Sequence, residues 1–275
     1  MKKEIQLDEL KQIELRILKQ IHNVCAQQGL RYFLVGGTLL GAIRHNGFIP
    51  WDDDIDIGMP RADYERFIDY CSTNPVPFQV ICNRLNKDYG YLFAKAMDPN
   101  TVLVEKTGNR CGVELGVFVD IFPMDGLGDT QDEAVANLNK TRFNREMLVA
   151  ANWKKFSRSK TRAIYYEPIR LAFYCMSRMS SFGRLIRKIE SRYAVDGFDK
   201  SNYVGCVCGA YRNKEIVERE VFSEYVDVPF EDAVFKCPKQ FDRYLSNIYG
   251  NYMQLPPEEK RVTHHSFDAY YKNES

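Results

Sequence analysis

The chain has 275 residues, 45% hydrophobic and 13% aromatic, with 38 basic against 37 acidic side chains and a formal charge of +1. That length and composition allow one large folded domain or two small ones and exclude a disordered chain. The near-zero charge excludes a nucleic-acid binder working by bulk electrostatics, and no apolar run of about 18 residues offers a bilayer-spanning helix.

Residues 7–28 place Leu10, Ile13, Ile17, Ile21 and Val24 three or four apart with charges between them, which predicts an amphipathic helix stopped by Gly29. Tyr32-Phe33-Leu34-Val35 predicts a strand. Gly36-Gly37-Thr38 follows, and Leu39, Leu40, Ala42 and Ile43 read as the start of a helix that carries Arg44 and His45. Glycines between a strand and a helix let backbone approach a ligand, and the helix's unpaired N–H groups favour a phosphate there. After Gly47 and Pro50 the chain turns past Trp51 into a second predicted strand, beginning Asp52-Asp53-Asp54-Ile55-Asp56-Ile57. Strand alternation puts Asp52, Asp54 and Asp56 on one face and points Asp53 away. Carboxylates crowded on one face repel unless a cation sits among them, and Mg²⁺ takes such oxygens together with substrate phosphates. A phosphate turn beside a metal-binding carboxylate pair points to phosphoryl transfer; the plainer reading is a turn of solvated aspartates.

Residues 61–70 predict a helix, and 78–82, 91–97 and 101–105 predict strands, with Asp98-Pro99-Asn100 as a tight hairpin between the last two. Lys95 alternates with apolar neighbours: it either points across the sheet or is a solvated edge lysine. The apolar run 117–122 surrounds Asp120 and is ended by Pro123 and Gly126. A charge in a buried strand is costly unless partnered. Asp120 is therefore expected to join Asp54 and Asp56 across neighbouring strands, as a metal ligand or as the base for an acceptor's proton, unless it sits solvated at the strand's end. The order of elements predicts an α/β or α+β core with a mixed sheet.

From Asp132 the pattern is helical. Residues 154–192 hold eleven Lys/Arg against two acids, net +9, interleaved with apolar and aromatic side chains. Such a stretch reads as an anionic-membrane surface element, as a solvated insertion, or as a groove for an anionic polymer. Beyond it, 205–210 read as a short strand or turn, 222–230 and 238–239 as extended, and 241–248 as a final helix. A tail follows that contains Pro256-Pro257, Lys260-Arg261 and His264-His265. The eight cysteines are scattered, mostly in apolar runs, and read as buried thiols of a reducing compartment; Cys206-Val207-Cys208 is the one close pair. The N-terminus lacks a signal-peptide apolar region, and a cytoplasmic protein is expected.

A Gly-Gly turn, Asp-x-Asp on a strand and a third carboxylate on a later strand resemble the nucleotidyltransferase superfamily, with its polymerase-β-like fold. More closely, GGTLLGAIRHNGFIPWDDDIDIG is similar to the LicD family, as is the tail's Tyr-Gly, Pro-Pro and His-His pattern. The resemblance runs over about 7–271. It implies a single catalytic domain over 1–275, with a core at about 7–130 and 200–271 and a basic helical insertion at about 131–199. It also implies transfer of a phospho-alcohol, phosphocholine foremost, from a CDP-activated donor to a cell-surface glycan such as lipopolysaccharide, teichoic acid or capsule. Carried onto this chain, Asp54, Asp56 and Asp120 hold one or two Mg²⁺ (or Mn²⁺), while Gly36, Gly37 and Thr38 cradle phosphates. Asp52 reaches an outer metal or the donor's alcohol, and Lys95 the donor phosphates. Arg44 with His45 neutralises the leaving CMP, or is a solvated helix-end pair. Trp51 stacks on cytosine, encloses a choline ammonium, or plugs the core. His264 and His265 fold back over the site or belong to a surface tail. A lipid-linked acceptor suits peripheral contact of 154–192 with the inner face of a membrane. The rival activities are a nucleotidyltransferase releasing pyrophosphate from an NTP, and a protein that binds without turnover.

Overall fold

The apolar stripe of the first helix is laid down as expected over Leu7–Gln28, and Gly29 ends it in the left-handed region at φ +60°. The computed structural model describes residues 3–105, 110, 112–159, 163–262 and 267–272. The first half runs β1 (Glu4–Ile5), α1 (Leu7–Gln28), β2 (Phe33–Leu34), α2 (Gly36–His45), β3 (Asp56–Pro60), α3 (Arg61–Thr73), β4 (Gln79–Ile81), β5 (Ala94–Met97), β6 (Thr101–Glu105) and β7 (Phe118–Gly128). Then come α4 (Gln131–Lys140), α5 (Arg142–Asn152), α6 (Glu167–Ser177), α7 (Phe182–Glu190) and α8 (Gly197–Lys200). The chain closes with β8 (Tyr203–Cys206), β9 (Val217–Glu218), β10 (Tyr225–Phe230), β11 (Ala233–Pro238), α9 (Phe241–Tyr249) and β12 (Phe267–Tyr271).

The central sheet has the order β2-β3-β7-β5-β4, with β8 pairing β7 and β9. The β3–β7 pair is parallel and its other pairs are antiparallel, so the fold is a mixed α/β one. Leu18 and Ile21 of α1, Phe33 and Leu34 of β2, Leu39 of α2 and Ile57 of β3 are wholly buried together. Burial of such side chains stabilises the fold by about 1.5–3 kcal/mol each. A separate core joins Leu138 of α4, Leu148 of α5 and Ile189 of α7 to Leu127 of β7. A buried bidentate ion pair, Arg61 to Asp125 at 2.8 and 2.9 Å, ties α3 to β7.

Several local expectations change. The strand expected from Asp52 begins at Asp56, because Asp52 N–H donates to Ile49 O at 2.9 Å and residues 52–54 form an irregular approach. The glycine turn is itself the first turn of α2. The hairpin expected at 98–100 does not form: β5 pairs β4 and β7, whereas β6 leaves for a second sheet of order β1-β12-β6. Asp98 turns the chain by accepting Asn100 N–H on its own carboxylate at 2.8 Å, and a Cβ at Gly116 would lie 2.3 Å from Asp98 O, so a side chain there would collide with the turn. Pro123 does not end its strand. It pairs Met59 on the parallel side, while on the other side β5 has ended at Ile121 and β8 begins at Met124, so its missing N–H falls in a gap between neighbours. The segment expected to be extended from 222 starts at Tyr225, after a 3-10 turn over Arg219–Phe222.

Candidate active site

The sheet builds the site by register. Asp56 on β3 pairs Asp120 on β7, and Asp120 pairs Lys95 on β5, so the three residues form one row across three strands. Side chains directly opposite in register share a face. Lys95 is buried and its Nζ lies 2.5 Å from Asp120 Oδ1, which excludes the solvated edge lysine. Asp120 N–H donates to Ile55 O at 2.9 Å, locking the row to the start of β3. Thr38 Oγ1 accepts Asp56 N–H at 2.7 Å, so this buried hydroxyl holds the first residue of the strand.

Upstream, Asp52, Asp53 and Asp54 bring carboxylate oxygens within 4.8 Å of one another. Asp53 was expected to point away; it joins this cluster and is buried, because the segment is not a strand and strict alternation does not apply. Among the described residues, Asp54, Asp56 and Asp120 do not make such a mutual group in this structure. Asp56 nevertheless feels them: burial and then the charges of Asp54, Asp120 and Asp52 push its carboxyl well above the usual range, against the opposing pull of Lys95. Gly36, at φ +55°, brings its backbone close to this group: a Cβ there would lie 3.3 Å from Asp56 Oδ2, and one at Gly37 2.7 Å from Asp52 Oδ2. The carboxylates thus stand at the positive end of α2.

Glu14 of α1 was not anticipated as part of the site. It is 2% exposed and its Oε2 has no hydrogen-bond partner. Burial, followed by the charges of Asp54, Asp53, Asp120 and Asp56, raises its carboxyl well above the ordinary value. The signal lay in the sequence as an acid standing within the apolar stripe of Leu10, Ile13 and Leu18.

A cavity of about 400 Å³ opens onto this acidic group, lined by Gly36, Gly37, Trp51, Asp52, Asp54 and Asp56 from the first part of the chain. Its other lining comes from β7 and from residues 206–249, including Cys206, Tyr211, Glu215, Tyr244 and Tyr249. Burial pushes the Glu215 carboxyl up to about 7. Arg44 is turned to the chain itself: Nη1 donates to Tyr252 O at 2.8 Å and Nε to His45 Nε2 at 2.9 Å. The Arg261 guanidinium lies 5.6 Å from the Trp51 ring centroid, so the tail reaches the cavity's rim as far as that residue. His264 and His265 lie outside the described residues. Cys206 and Cys208, 3.5 Å apart at Sγ, are free thiols.

Comparison with known proteins accords with this arrangement. A family profile, "LicD/FKTN/FKRP, nucleotidyltransferase domain", matches residues 29–163. The "Lipopolysaccharide cholinephosphotransferase LicD" of Haemophilus influenzae is 30% identical over 273 residues, 98% of this chain and 99% of that protein. The chain belongs to the LicD family. Within it, human "Ribitol 5-phosphate transferase FKRP" is 47% identical over 53 residues, 18% of this chain and 11% of that protein. An uncharacterised protein of Rickettsia typhi is 39% identical over 66 residues, 24% of this chain and 21% of that one. The LicD profile spans the glycine turn, the aspartates, Lys95 and Asp120, while Glu14 and the wall from 206–249 lie outside it.

Proposed function

We propose that this LicD-family chain is a metal-dependent phosphotransferase that moves phosphocholine from CDP-choline to a cell-surface glycan. The observation that carries the reading is the convergence of Asp52, Asp54 and Asp56 with the Gly36-Gly37 turn in one cavity. The near-complete match to a cholinephosphotransferase supports the choice of alcohol. The donor set is all oxygen, crowded and net negative, which suits Mg²⁺ or Mn²⁺: Asp52, Asp53 and Asp54 are the mutually close carboxylates, and Asp56 and Asp120 stand beside them as further oxygen donors without closing such a group themselves. A bound divalent cation supplies charge neutralisation on the donor's diphosphate.

The chain's own residues do the rest. The N-terminal turn of α2 binds phosphate through backbone N–H groups, and Thr38 holds Asp56 in place. Lys95 balances Asp120 and so keeps the row of carboxylates in register. In the transfer, the acceptor oxygen bonds to the choline-bearing phosphorus, the bridging oxygen leaves with CMP, and the acceptor's proton passes to the Asp56–Asp120 row.

The acceptor side carries a second observation. No helix among the described residues is long and apolar enough to cross a membrane. Yet α6 buries only Ser177, and Ile164, Tyr165, Ile169 and Met179 are 64%, 69%, 55% and 81% exposed within the basic stretch. Exposed apolar and aromatic side chains among cations fit peripheral contact with an anionic lipid surface, where a lipid-linked glycan would be met.

The deciding assay supplies Mg²⁺, a lipid-linked glycan fraction and, in parallel, CDP-choline, CDP-ribitol, CDP-glycerol or an NTP, with Asp54→Ala as control. Acceptor-dependent CMP release from CDP-choline is expected. Pyrophosphate release from an NTP would replace the reading with a nucleotidyltransferase, and full activity in Asp54→Ala would remove the aspartates from the chemistry.

A further inference from the structure

Phosphate and metal chemistry leave part of the cavity without a task. Tyr211 and Tyr249 meet edge to face, ring centroids 5.2 Å apart at 78°. Glu215 lines the same cavity and is 7% exposed; its Oε1 accepts Tyr211 N–H at 3.3 Å. The turn is closed down on this carboxylate, since a Cβ at Gly209 would lie 2.4 Å from Oε1. Among the described residues no basic side chain pairs with Glu215; burial raises its carboxyl, and the Tyr211 amide opposes the rise. A buried carboxylate without a countercharge is costly until a cation reaches it. The corner also adjoins the phosphate turn: Tyr249 Oη lies 4.0 Å from the Cβ position of Gly36, which is 3.3 Å from Asp56 Oδ2.

We propose that Tyr211, Glu215 and Tyr249 form a subsite for a quaternary ammonium on the donor's alcohol, selecting choline-type donors over neutral polyols. This rests on the reading of the cavity as the CDP-alcohol site. A trimethylammonium group donates no hydrogen bond; aromatic faces attract it, and a nearby carboxylate neutralises it. Its nitrogen is four bonds from the phosphorus, so its subsite must adjoin the phosphate turn, as this corner does. Glycerol and ribitol are neutral and hydroxyl-rich, and two aromatic rings with one buried carboxylate offer them few partners.

The test is calorimetric binding of CDP-choline, CDP-glycerol and CMP, with Mg²⁺ present, to the full chain and to its Tyr211→Leu and Glu215→Gln variants. Wild type is expected to bind CDP-choline about tenfold more tightly than CDP-glycerol, and each variant to lose about tenfold for CDP-choline while holding CMP within about twofold. Equal losses for CMP and CDP-choline would overturn the subsite and make the corner a cytosine platform. Equal wild-type affinity for CDP-choline and CDP-glycerol would overturn it too, with the donor reading intact. Failure of wild type to bind any of the three would overturn both. Tyr211 is 43% exposed on a turn, so its variant keeps the test decisive should Glu215→Gln not fold.

Discussion

Lys95 Nζ lies 2.5 Å from Asp120 Oδ1, and the two residues are register partners on adjacent strands beneath the cavity's acidic group. Removing the cation alone takes the countercharge from a buried carboxylate. Lys95→Met is expected to cost about 3–5 kcal/mol in urea unfolding, and adding Asp120→Asn to recover a large part of it. Turnover should be lost in Asp120→Asn even where the double variant is folded. An additive double variant would show that the two side chains are energetically independent.

Glu14 is buried against a group crowded with negative charge, which together with burial raises its carboxyl well above the ordinary value, and its Oε2 is unpartnered. Glu14→Gln is expected to raise the melting temperature of EDTA-treated protein at neutral pH, since it removes the cost of burying an acid that must take up a proton on folding. The extra stabilisation conferred by Mg²⁺ should shrink in the same variant. Scanning fluorimetry with and without Mg²⁺ reads both, and an unchanged metal-free melting temperature would separate Glu14 from the cluster.

Glu215 sets a pH dependence of stability. Its carboxyl is raised from 4.5 to about 7 in the fold, so its contribution is complete below about 4.5 and is lost as pH rises through about 7. Between pH 5 and pH 8 the wild type should lose up to about 3 kcal/mol that Glu215→Gln retains. Parallel pH profiles for the two proteins would show that Glu215 does not hold its proton in the fold.

The exposed face around α6 predicts membrane partition. The protein should sediment with vesicles containing phosphatidylglycerol but not with purely zwitterionic ones, and less so as salt rises. Tyr165→Asp with Ile169→Asp should abolish sedimentation while leaving CMP release from a detergent-dispersed acceptor unchanged, because both side chains are exposed and line no part of the cavity.

Local chemistry was legible along the chain. The apolar spacing of α1, its stop at Gly29, the helix through Leu39, Leu40 and Ala42 and the strand carrying Asp120 all follow from side-chain periodicity and backbone freedom. The contiguous Gly-Gly to Asp-x-Asp run carried the family resemblance for the same reason: its parts are adjacent in sequence. Alternation misled where residues 52–54 are not a strand, and the turn at Asp98 misled because turn chemistry says where a chain reverses, not which strand it then meets.

What pairs with what was settled by the sheet. The parallel β3–β7 register puts Asp56 beside Asp120, and the antiparallel β5–β7 register puts Lys95 next in the row; either pairing shifted by one residue would send a side chain to the opposite face. Glu14, Tyr211, Glu215 and Tyr249 sit tens to hundreds of residues from the aspartates along the chain, and packing alone brings them to the acidic cavity. Residue identity determined the chemistry that this chain carries, whereas strand register and helix packing, set by burial of one shared core, determined which of those groups meet.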